Sequence, residues 1–154
     1  MGCSLLSSVP SDLLPASVLA NGCYANMFRG CEKLEVAPLL NATTPKPGCY
    51  FGMFRFCYVL KELKCALSPS GIDNFITTQG SCTASNTTYP STSDMKNWTE
   101  NNMWSVFNKW LDQSGKDKTP RGLFYCLSTM QSKFPTNTNT PGAVPTNWWD
   151  FQSL

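Results

Sequence analysis
The sequence predicts an all-α fold: a disulfide-stapled bundle of about four helices, built around a central helix at 48–66, with long loops and an extended C-terminal arm. Three observations carry that expectation. Apolar residues recur at i, i+3, i+4 and i+7 in several stretches, which is the spacing of one helical face. The 154 residues include eight cysteines, an even number, which reads as up to four disulfides outside a reducing compartment. Ten residues occur twice: 22–31, GCYANMFRGC, agrees with 48–57, GCYFGMFRFC, at seven of ten positions and an offset of 26. Such self-similarity marks one structural unit used twice.

In chain order, residues 1–21 contain the small-residue pattern Val18-x-Ala20. The segment lacks an early positive charge, and Asp12 and two prolines interrupt it, so it reads as part of the folded domain rather than a leader. Any signal peptide is expected upstream of it. Ser11 or Asp12 can cap a first helix running to about Leu34. Residues 35–47, with three prolines, form a connection. The second helix ends at Ser68-Pro69-Ser70-Gly71. A Ser/Thr-rich stretch containing Cys82 follows. The third helix, about 99–113, places Met103, Val106, Phe107, Trp110 and Leu111 on one face. The fourth starts at Thr119-Pro120, and its face is Leu123, Phe124, Leu127, Met130 and Phe134. The domain thus spans 1–134. Residues 135–154 form a Pro/Thr/Asn-rich arm in which Trp148, Trp149 and Phe151 are the expected anchors on a partner or on the domain itself.

On a helix turning about 100° per residue, Tyr24, Met27, Phe28 and Cys31 share a face, as do Tyr50, Met53, Phe54 and Cys57. The second copy is also apolar on its far side, at Phe51, Phe56, Tyr58 and Val59, so it should be central and the first copy flanking. Each copy spaces its cysteines by eight residues. Antiparallel helices would then be bridged by Cys23–Cys57 and Cys31–Cys49, whereas a parallel arrangement would give 23–49 and 31–57. Cys65 is expected to pair with Cys82 or Cys126, and Cys3 is the remaining scaffold cysteine. The antiparallel geometry resembles the twin-cysteine helical hairpins of the mitochondrial intermembrane space. There are seven residues between the cysteines here, against nine typical of that family.

The chemistry is sparse. Histidine is absent and only 14% of residues are charged, with a net charge of +2. That removes the Ser-His-Asp and Cys-His catalytic arrangements and provides no basic stripe for nucleic acid. No Cys-x-x-Cys zinc spacing occurs. Arg29 and Arg55 occupy matching repeat positions, expected to be solvent-facing or paired with Glu32 or Glu62. Lys116, Lys118 and Arg121 cluster in an interhelix loop. Sequons at Asn41, Asn86 and Asn97 permit N-glycosylation. The expected role is an extracellular or cell-surface interaction or structural protein without catalytic activity, cofactor, metal or transmembrane span. It would bind a protein partner or self-assemble through the arm. The alternatives are an accessory subunit of an organellar complex in an oxidising compartment, or a carrier of small apolar ligands.

Overall fold
Residues 22–31 form neither a helix nor a conventional strand, but a run of overlapping turns. The structure is a computed structural model that describes residues 3–67, 106–107, 110–115, 121–136 and 143–154. In it, the N–H groups of Ala25, Met27, Arg29 and Cys31 each donate to the carbonyl three residues earlier, at 3.0–3.2 Å. The intervening amides leave the segment: Tyr24, Asn26, Phe28 and Gly30 donate to the carbonyls of Cys49, Phe51, Met53 and Arg55 at 2.7–3.1 Å. Every fourth residue is left-handed, at Gly22, Asn26 and Gly30, and again at Gly48, Gly52 and Phe56. That is the positive φ a type II turn needs at its third position. Glycine supplies it without steric cost and asparagine at little cost.

The tetrad reads left-handed residue, Cys or Met, aromatic, variable. Its period of four explains why the sequence suggests a helix. Residues at i and i+4 share a face in both structures, and the i→i+3 bonds imitate a tight helical turn.

The duplication is a stacking register. Tyr24 stacks on Tyr50 at 6.3 Å and Phe28 on Phe54 at 5.5 Å, with planes only 4° apart in the second pair. Parallel bridges Val18↔Thr44 and Val36↔Glu62 carry the same offset of 26, so one full turn of the coil takes 26 residues. The match also extends beyond the obvious ten, since Leu13, Leu14, Ala16 and Leu34 recur as Leu39, Leu40, Ala42 and Leu60. A third layer follows: Tyr50, Phe54 and Phe56 donate to the carbonyls of Val106, Trp110 and Asp112 at 2.8–3.1 Å. The middle layer is therefore covered on both sides, and Cys49, Met53, Phe54 and Cys57 are fully buried. The expected central helix at 48–66 is not formed: turns at 47–56 and the strand at 62–65 take its place.

The second wall of the coil is a parallel sheet in the order β1 (Glu62–Cys65), β2 (Gly122–Cys126), β3 (Trp149–Ser153). β1 pairs Leu63 with Phe124 and Cys65 with Cys126, and β2 pairs Phe124 with Phe151. Bridges at Val36 and Leu40 extend this wall beyond β1. Ser7 and Ser11 extend it further by accepting from Glu35 and Leu39. Alternation decides the conformation here. In β2, Gly122, Phe124 and Cys126 are buried while Leu123 is exposed, and aromatic residues suit a pleated, half-buried surface. Val106 and Phe107, within the expected third helix, are helical, and β2 is followed by a short helix, α1 (Ser128–Gln131). Between the walls the interior is filled by rings. Phe107 meets Trp110 at 4.5 Å, Trp110 meets Phe134 at 5.7 Å, and Phe124 meets Phe134 at 5.1 Å.

These findings replace the all-α bundle. Residues 21–30 and 47–56 are stacked turns, residues 11–20 are largely irregular with a bridge at Val18, the end of the expected second helix is β1, and the expected fourth helix is β2 followed by one short turn of α1. The first part of the expected third helix and its Thr119-Pro120 successor lie outside the described residues. The antiparallel hairpin is also overturned. The register is parallel, so Cys23 neighbours Cys49, Cys31 neighbours Cys57, and Cys65 faces Cys126. No disulfide joins the described cysteines: Cys3, Cys23, Cys31, Cys49, Cys57, Cys65 and Cys126 are free thiols. The secreted, disulfide-bonded glycoprotein inferred from cysteine count and sequons loses its covalent scaffold, and nothing in the structure supports secretion or glycosylation. Among the described residues, no helix is long and apolar enough to cross a membrane.

Candidate interaction face
The outer surface of the sheet gathers most of the paired charge. Parallel register sets outward side chains in columns. Val36, Glu62, Leu123 and Asp150 fall in one, and Lys64, Tyr125 and Gln152 in the next. The sequence reading placed these residues on different helices or in the arm, so the columns could not be anticipated. The short alternating segments ELKC and GLFYC were the available signal.

The charges pair both along strands and across turns of the coil. Lys64 Nζ lies 3.0 Å from Glu62 Oε1, and the carboxylate raises the lysine pKa through its hydrogen bond and charge. The same ammonium sits 5.4 Å from the centroid of the Tyr125 ring, within cation–π range. Lys61 pairs with Glu35 of the preceding turn. Arg121 bonds Asp150 Oδ1 at 2.7 Å and the Thr146 carbonyl at 2.9 Å, joining β3 to the segment before β2. Exposed pairs of this kind contribute roughly 0–1 kcal/mol each to stability. Leu123, 36% exposed, supplies an apolar point between them.

The repeated arginines sit on the other wall. Arg55 is buried, and its Nε lies 2.6 Å from Asp112 Oδ2 in the next layer. Its expected carboxylate, Glu62, pairs with Lys64 instead. Arg55 and Arg29 both lie over the Phe56 ring, at 4.6 and 5.7 Å. Phe56 holds φ of 64° where the first copy has Gly30, a strained conformation for a bulky residue.

The cysteine positions define an unreactive set. Cys49, Cys57 and Cys65 are fully buried, and burial raises their pKa values, to about 12 for Cys57 and Cys65. Cys126 is pushed up to about 11 by the same cause. Thiols in apolar surroundings are poor nucleophiles. Cys3 and Cys23 are exposed, and Cys82 lies outside the described residues. Asn41 is exposed, while Asn86 and Asn97 also lie outside. Lys116 and Lys118 lie outside too. Of the aromatic anchors in the arm, Trp149 is fully buried against its own chain, Trp148 packs against the core, and Phe151 meets Phe124 at 5.4 Å. Among the described residues, no group of three His, Cys, Asp or Glu side chains could hold a metal ion.

No family model, curated protein or solved structure matches the chain.

Proposed function
We propose that this protein is a non-catalytic interaction module that binds a protein partner across the outer face of its parallel sheet. The observation that carries this reading is the pair of outward columns, in which acidic, basic, aromatic and aliphatic side chains stand side by side on a wall set by backbone register. Coiled repeat architectures use such extended faces for recognition. Tyrosine and arginine, at Tyr125 and Arg121, are the residue types that most often anchor interfaces. The absence of histidine from the sequence and the burial of most described thiols both favour binding over catalysis. The arm contributes Asp150 and Gln152 of β3 to this face, while Trp149, one of its expected anchors, is enclosed by its own chain.

A photo-crosslinking residue at Tyr125, with a control at Asn41, tests the proposal in an extract of the native cell or its medium. A discrete protein adduct should form from position 125, and Lys64→Glu should abolish it. Equal adducts at both positions, or none from position 125, would overturn it.

A further inference from the structure
The first layer of the turn stack ends in an open edge that repeats a closed one. Cys49 and Met53 are fully buried because 22–31 covers them. Their counterparts one layer earlier have no such cover: Cys23 is exposed and Met27 is 48% exposed. The backbone shows the same asymmetry. The carbonyls of Cys49, Phe51 and Met53 accept from Tyr24, Asn26 and Phe28. The carbonyls of Cys23, Ala25 and Met27 meet no backbone donor among the described residues. The stack is therefore polar, and its leading edge is a row of acceptors at every second residue.

Cys3 closes the edge at Cys31, which is 2% exposed. We propose that the open part docks a segment of the same turn-strand kind carried by another polypeptide, bound parallel and in register with 22–28. The side chains of the two edges are nearly the same, so the interface already formed between the first two layers specifies the occupant. Donors must fall at every second residue to meet the carbonyls. Glycine must recur every fourth residue, because left-handed positions lie directly over one another and the edge carries Asn26: a Cβ on Gly52 would come within 2.6 Å of Asn26 Oδ1, and an asparagine beneath Asn26 would meet its Cβ in the same way. An aromatic residue must follow each of these by two positions, to stack on Tyr24 and Phe28 as those stack on Tyr50 and Phe54. Main-chain bonds would supply affinity and the stacked rings selectivity, which is the logic of strand addition to a sheet edge.

The probe is a synthetic peptide of residues 20–29 carrying Asn26→Gly, kept reduced and titrated into the full chain. Saturable binding is expected, with slowed hydrogen exchange at the peptide amides of positions 24, 26 and 28, which face the carbonyls of Cys23, Ala25 and Met27. Met27→Lys in the protein, at an exposed side chain, should weaken binding at least tenfold while circular dichroism stays unchanged. Leu154→Lys, at an exposed side chain beyond β3, should leave binding intact. The proposal fails if no saturable binding occurs up to millimolar peptide, if a scrambled peptide binds equally, or if Met27→Lys has no effect.

Discussion

Gly52→Ala separates the stacked-turn structure from a helix by the sign of its effect. Gly52 has φ of 56° and lies under Asn26, itself at 57°. An added methyl would sit 2.6 Å from Asn26 Oδ1 and 3.5 Å from its Cγ. The left-handed conformation costs an alanine roughly 1–2 kcal/mol. Turning the Asn26 side chain away adds roughly 0.5–1.5 kcal/mol of rotamer strain. Together these lower stability by about 2–3 kcal/mol, a fall in melting temperature of roughly 5–10 °C for a chain of this size. In a helix interior the same substitution would stabilise by about 1 kcal/mol. Urea unfolding of the wild type, Gly52→Ala, Asn26→Gly and the double variant gives both the total and the coupling. Asn26→Gly should recover the contact part and leave the backbone part, a coupling of about 1 kcal/mol. A rise in stability for Gly52→Ala, or no coupling with residue 26, would refute the register.

Three further outcomes follow from geometry already described. Phe56→Gly and Phe56→Ala both remove the ring, so their difference isolates the left-handed backbone; the glycine variant should be the more stable by about 1 kcal/mol in urea midpoints, and equal stability would contradict the φ of 64°. Asp112→Ala removes the carboxylate that faces the Arg55 guanidinium, only 10% exposed, and should cost toward the low end of roughly 3–5 kcal/mol; Arg55→Met in the same assay should cost less. The buried thiols give a pH dependence of known sign. Thiols that ionise near 9 when unfolded stay protonated to about 12 at Cys57 and Cys65, so their contribution is complete below pH 9 and is lost as pH rises toward 12. Urea midpoints should fall across that window, and Cys65→Ala should make the decline shallower; an unchanged decline would show that Cys65 takes no part.

The offset of 26 was legible in the sequence. The conformation was not, because Tyr24 and Phe28 lie four residues apart, close enough to the helical 3.6 to pass as one face. The discriminating signal was present: Gly22, Asn26 and Gly30 repeat at an interval of four, where a helix would be weakened by two glycines in nine residues. Phe56 obscured it in the second copy by occupying a glycine position. The strands were hidden by brevity. Glu62-Leu63-Lys64-Cys65 alternates over only four residues, and period alone cannot decide so short a run. The interaction face was illegible for a different reason. Glu62, Leu123 and Asp150 become neighbours only through parallel pairing across separations of 61 and 27 residues.

The first return of the coil brings Tyr24 to Tyr50 after 26 residues, and the next brings Tyr50 to Phe107 after 57. The entropy of closing a flexible loop rises only with the logarithm of its length, so the longer return costs roughly 0.7 kcal/mol more than the shorter. Less than one well-stacked ring offsets that difference. The cost of a return is therefore nearly indifferent to its length, whereas wall positions are constrained by the layer on either side, and a substitution there is felt at its register partners.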